Sequence, residues 1–136
     1  MIDTAEQILA ALQGDAAFMA QVGTYNFTDG FTAPAITVLG ANEHVDGLSD
    51  VEGVEVVISR VPATTSRPLY SGCIQPEKSW QIYLVAYDTG PQVVIAADLL
   101  LARYPGSSYS SLGAGTLPEI AGTEQIVVKI PANVSA

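Results

Sequence analysis

The most constraining stretch of this sequence is Ser79 to Asp88, SWQIYLVAYD, which alternates with period two yet has no clearly polar side. In an extended chain Trp80, Ile82, Leu84 and Ala86 fall on one face, and Gln81, Tyr83, Val85 and Tyr87 fall on the other. A strand that is apolar or aromatic on both faces belongs in the centre of a sheet, covered on both sides. Thr89-Gly90-Pro91 then breaks the strand, and Pro91 suits a first helical turn. Gln92 to Tyr104 follows as a helix whose buried stripe is Val93, Ala97, Leu100, Leu101 and Tyr104, ended by Pro105-Gly106.

A second amphipathic helix runs from Asp3 to Gln13. Asp3 or Thr4 caps it, Glu6 or Gln7 completes a capping box, and Ala5, Ile8, Leu9 and Leu12 face a core. Gly14 ends it, and Asp15 caps a short helix through Phe18, Met19 and Val22 to Gly23. Further strands are predicted at Ala35 to Leu39, at Val54 to Val61, and at Gln125 to Ile130, the last stopped by Pro131. Thr24 to Pro34 reads as a loop with a turn at Asp29-Gly30, Gly40 to Gly53 as an exposed acidic loop, and Ser107 to Pro118 as a Ser/Gly-rich loop. Pro62 to Pro76 is long for a hairpin connection, where about two to five residues are usual. Polar and almost uncharged, it reads as a projecting arm that folds onto a neighbouring subunit. No repeat or linker divides residues 1–136, so one domain is expected. The order of elements gives a two-layer α+β fold, with helices packed on a mainly antiparallel or mixed sheet of about four strands.

Charge narrows the function. Fourteen Asp and Glu oppose five Lys and Arg, for a net charge of −9. The bases Arg60, Arg67, Lys78, Arg103 and Lys129 are scattered, so the chain lacks the cationic footprint of a nucleic-acid binder. Charged residues make up 14% of the chain, against about 25% in an ordinary soluble domain. Part of the uncharged surface is therefore expected to be covered by a partner. A lone Cys73 rules out an internal disulfide and suits a reducing cytoplasm. The N-terminus lacks a basic stretch ahead of an apolar run, unlike a signal peptide, and no apolar run approaches the roughly 20 residues that cross a bilayer.

The residues that could carry chemistry do not assemble into a catalytic set. His44 stands alone between Glu43 and Asp46, where a zinc site needs three or four ligands with several His or Cys. NEHVDGLSDVEG lacks the spacing of a calcium loop and reads as a charged surface. Cys73 has no partner His within sequence reach other than His44. Ser71-Gly72 and Ser111-Leu112-Gly113 do not form a nucleophile elbow, and Gly113-Ala114-Gly115 is a flexible turn rather than a dinucleotide loop. Trp80, Tyr83 and Tyr87 read as sheet-face residues, not as a base-stacking platform. No catalytic, cofactor-binding or metal residues are assigned, and no enzymatic activity is expected.

Several segments together resemble the tail-terminator, or tail-completion, proteins of long-tailed bacteriophages. They are the N-terminal helix with GDAAFMAQVG, the PAITV strand, the strand–long-loop–strand hairpin, SWQIYLVAYDTGPQVVIAADLLLARY, and the late TEQIVVKI strand. The resemblance covers most of the chain and contains no catalytic motif. It implies a mixed sheet flanked by helices with a protruding β-hairpin arm. It further implies a structural virion protein of the neck, assembled in the host cytoplasm. Its homo-hexameric ring would cap the tail-tube protein, stop tube polymerisation and dock the head connector or stopper, with no cofactor. Genome DNA would pass the channel without specific binding, because a negative lumen repels phosphates. On this reading Glu43, Asp46, Asp50 and Glu52 face the lumen or the ring rim. Thr64, Thr65, Arg67, Leu69 and Tyr70 belong to the inter-subunit arm. The competing readings are a head–tail connector, stopper or other neck subunit, and a monomeric small-ligand module with its pocket between the sheet and Gln92 to Tyr104.

Overall fold

The computed structural model describes residues 1–68, 72, 74–87, 91–111 and 124–136, with the backbone alone at 65–68 and 74–76. Helix α1 spans Ala5–Gln13 and helix α2 Ala16–Met19. The caps follow from local chemistry. Asp15 Oδ1 accepts the Phe18 N–H at 3.1 Å, and the Gln7 side chain accepts the N–H groups of Asp3 and Thr4 at 2.7 and 3.3 Å. Helix α3, Gln92–Arg103, starts after Pro91, whose fixed φ suits a helix entry.

Strands β3 (Ile36–Leu39), β5 (Val54–Ser59), β7 (Ile74–Ala86) and β9 (Glu124–Pro131) are the four expected from sequence. With β8 (Ser108–Ser111) they form a sheet in the order β3-β5-β7-β9-β8, and β6 (Ala63–Pro68) pairs with β7 off that path. Only β3 and β5 run parallel. The α+β class read from the sequence is therefore the observed one. The strand at Ser79 to Asp88 does lie in the middle, between β5 and β9.

All three helices pack on one face of this sheet. Trp80, Ile82, Leu84 and Ala86 meet Ile8 and Leu12 of α1, Phe18 of α2, and Val93, Ala96, Ala97 and Leu100 of α3 in a single core. Each large side chain fully buried there contributes about 1.5–3 kcal/mol. The N-terminus is tied to the same core. Ile2 N–H donates to the Ala132 carbonyl at 2.9 Å, and Trp80 Nε1 donates to the Ile2 carbonyl at 3.2 Å. The outer face of β7 differs from expectation. Val85 is buried, but Gln81, Tyr83 and Tyr87 remain half-buried, because among the described residues no helix lies over them.

Two segments expected to be loops are strands of a second sheet, ordered β2-β1-β4: β1 is Thr24–Phe27, β2 Thr32–Pro34 and β4 Leu48–Glu52. The Asp29-Gly30 turn closes the β1–β2 hairpin, with Gly30 at φ +92°. The acidic stretch Gly40 to Gly53 is thus strand over its last third, at Leu48–Glu52. Its polar residues tolerate pairing because only one face of β4 is covered. Ser107 to Pro118, also read as a loop, begins with β8; residues 112–118 lie outside the described residues.

The sheets join where Gly23 N–H donates to the Val54 carbonyl at 2.8 Å, Ala35 N–H donates to the Gly23 carbonyl at 3.0 Å, and Tyr87 N–H donates to the Gly53 carbonyl at 2.8 Å. A Cβ on Gly23 would lie 1.9 Å from the Glu52 carbonyl oxygen, so this crossing is open only to glycine.

Candidate interaction surfaces

The segment expected to be a long loop is largely strand. Ala63 to Pro68 pairs antiparallel with Ser79 to Ile74 of β7, following the Val54–Ala86 to Ile58–Ile82 ladder on the same partner strand. Toward the tip, from Glu77 to Ile74, β6 is the only strand among the described residues that pairs with β7, whereas Ser79 to Ala86 pairs with β9 on one side and Ile82 to Ala86 with β5 on the other. The last contact from the β9 side is the Ala132 N–H on the Lys78 carbonyl at 3.0 Å. The hairpin is therefore an arm that runs past the sheet. Thr64, Thr65 and Arg67 lie on β6, while Leu69, Tyr70 and Cys73 lie outside the described residues. Strand pairing gives the arm a fixed backbone that a polar loop would lack.

The four acidic residues picked from the sequence do not form one cluster. Glu43 meets the Arg60 guanidinium at 2.8 Å, and Arg60 also reaches Glu6 at 3.3 Å, so it draws the loop after β3 toward α1. These groups are about half-exposed and such pairs contribute little, roughly 0–1 kcal/mol. Asp46 lies 3.0 Å from His44 Nε2, both in solvent. Asp50 and Glu52 share one face of β4. Because Tyr25 pairs with Val51 and turns inward, Asn26 and Thr24, which oppose Asp50 and Glu52, turn outward with them. Asn26 Nδ2 donates to Asp50 Oδ1 at 2.8 Å.

Sequence reasoning missed the polar cluster under this small sheet. The Tyr25 hydroxyl donates to Glu55 Oε2 at 2.6 Å, and the Tyr87 hydroxyl donates to Oε1 at 3.0 Å, so both carboxylate oxygens are engaged. Burial lifts the Tyr25 phenol well above its ordinary range, and the hydrogen bond and charge of Glu55 add to the lift. Tyr87 is raised in the same way, by burial first and then by Glu55. Phenols so raised keep their protons, and each oxygen of the Glu55 carboxylate accepts from one of them. The cluster fixes the small sheet to the large one. A signal existed in the alternation of Val54, Val56 and Ile58 with Glu55, which puts an acid on the sheet's outer face.

Among the described residues no three His, Cys, Asp or Glu are placed to hold a metal, and no helix is long and apolar enough to cross a membrane. Large apolar side chains exposed to solvent include Phe31 at the β1–β2 tip, Val61, Val94 and Ile95 on α3, and Tyr109 on β8. Compared with protein-family models, with curated proteins and with solved structures, the chain matches none.

Proposed function

We propose that the chain is a structural subunit of a tailed-bacteriophage neck, a tail terminator that closes into a homo-hexameric ring, caps the tail tube and joins it to the head connector. The observation that carries the reading is the arm. Among the described residues, the outer length of the hairpin pairs with no third strand, and isolated two-stranded hairpins are marginal in water. Seating it on the next subunit supplies the missing contacts. Because arm and acceptor are different surfaces, the contact is heterologous and closes into a ring at the right rotation.

Charge supports the same reading. The first 59 residues contain nine of the fourteen acids and none of the five bases. Although Arg60 and Arg103 from later in the chain pair with Glu6, Glu43 and Asp15, the acids on β4 meet no Lys or Arg among the described residues. Carboxylates such as Asp50 and Glu52 at a lumen or rim would let DNA pass without adhering. The test is negative-stain electron microscopy of the purified protein over a range of concentrations, alone and with its tail-tube protein. Six-fold rings, or rings at one end of tubes only, are expected. A monomer that never decorates tube ends would refute the reading.

A further inference from the structure

We propose that the outward face of the β2-β1-β4 sheet, with Phe31 at its tip, docks a different protein that presents cations around an apolar socket. This inference deepens the terminator reading and relies on it for its test partners. Phe31 is 71% exposed, more than any other large apolar side chain among the described residues except the N-terminal Met1. A single exposed Phe is ordinary on a protein surface. This one is held in place. Asp29 Oδ1 accepts the Phe31 N–H at 3.1 Å, Phe27 N–H donates to the Phe31 carbonyl at 2.9 Å, and Thr28 N–H donates to the Gly47 carbonyl at 2.8 Å. The tip is thus braced from both sides, and an aromatic anchor whose backbone is already ordered binds with less entropic loss.

The surroundings decide the occupant. Asp50 and Glu52 lie on the outward face of β4, Asp29 sits in the tip turn, and Asp46 precedes Gly47, to which the tip is bonded. No Lys or Arg occurs in this part of the chain. A second copy is poorly equipped to match it. Among the described side chains Arg60 is held by Glu6 and Glu43, Arg103 is held by Asp15, and Lys78 lies over the Trp80 ring at 5.3 Å, which leaves the single exposed Lys129 on β9 against several carboxylates. Nucleic acid is repelled by the same carboxylates. A cationic protein surface with an apolar pocket complements both the charge and the ring.

The experiment uses the full chain, as wild type, Phe31→Ser and Asp50→Asn/Glu52→Gln. Oligomeric state is read by light scattering, stability by thermal melting, and binding to the purified tail-tube and head-connector proteins by interferometry. Both variants are expected to keep the wild-type oligomer and melting temperature while losing at least about tenfold in affinity for one of the two proteins. Wild-type binding is expected to weaken as NaCl is raised to about 0.5 M. Unchanged affinity of the variants overturns the inference and leaves the ring reading intact. Loss of the oligomer at unchanged melting temperature also overturns it, since the face would then belong to a second copy. Wild-type rings that bind neither protein refute this face alone, whereas a monomer that binds neither refutes both.

Discussion

Tyr25 and Glu55, thirty positions apart, meet in a 2.6 Å hydrogen bond from phenol to carboxylate that ties the second sheet to the first. Tyr87, just past the end of β7, closes the other side of the carboxylate at 3.0 Å. One acid and two phenols thereby do what an apolar contact does elsewhere in the molecule. A carboxylate acceptor makes each bond stronger than one between neutral groups.

Removing the hydroxyl in Tyr25→Phe keeps the ring in place and takes away one donor to the charged group. The expected loss is about 1.5–3 kcal/mol, the range for hydrogen bonds to charged partners. Tyr87→Phe should cost less, because its bond is longer and its side chain is half-exposed. Urea unfolding of the two variants beside wild type measures both. A Tyr25→Phe protein as stable as wild type would mean the bond contributes nothing.

The same cluster sets a pH dependence at the alkaline end. Phenols in the unfolded chain ionise near pH 10, while folded Tyr25 and Tyr87 hold their protons to higher pH. Above about pH 10 the unfolded state therefore binds fewer protons than the folded state, and stability falls as pH rises. The contribution is complete below about pH 10 and is lost as pH climbs toward the folded values. Tyr104, raised by burial, adds to the decline. Urea midpoints between about pH 8 and about pH 11 should drop for wild type and drop less steeply for Tyr25→Phe. Equal slopes would contradict the assignment to Tyr25.

Gly23 offers a steric test of how the two sheets are joined. In Gly23→Ala the new methyl would meet the Glu52 carbonyl oxygen at 1.9 Å and the Val54 nitrogen at 2.7 Å, both rigid backbone atoms. Neither neighbour is a flexible side chain that could swing away, so the strands must separate. A loss above about 2 kcal/mol is expected, in the class of backbone-strain substitutions. Gly14→Ala, where the nearest atoms lie at 3.6 Å, serves as the control and should be nearly neutral. A calorimetric melt of both variants decides the matter.

What could be read in advance tracks how far each signal depends on distant partners. Helices α1 and α3 announced themselves through caps and apolar stripes, and β3, β5, β7 and β9 through β-branched runs, all of them local properties. The second sheet stayed hidden. TYNF, TAP and LSDVE are short and polar on their outward side, and although β1 and β2 form a local hairpin, their third strand β4 joins only through contacts between residues far apart in sequence. A bulge between Asn26 and Phe27 further breaks their alternation. The carboxylate at Glu55 lay in plain view as the odd residue in a valine-rich strand, but its two tyrosines come from different sheets and no spacing could join them. For the arm, Thr and Ser suggested a loop, whereas the register with β7 makes them strand.

That register makes the arm removable. Thr65 pairs with Glu77, so replacing Ser66 to Pro76 by Asn-Gly leaves a two-residue connection of the kind that closes tight hairpins. The sheet below Ser79 keeps its partners β5 and β9, and the core around Trp80 and Leu84 is untouched. The shortened chain is expected to fold with a melting temperature close to that of wild type. If the arm is the inter-subunit contact, the same chain should sediment as a monomer at concentrations where the full chain forms rings. The two readouts separate the causes, since a general loss of folding lowers the melting temperature and a loss of assembly alone does not. Rings that persist without the arm would assign closure to another surface, with the exposed Val94 and Ile95 side of α3 the next to substitute.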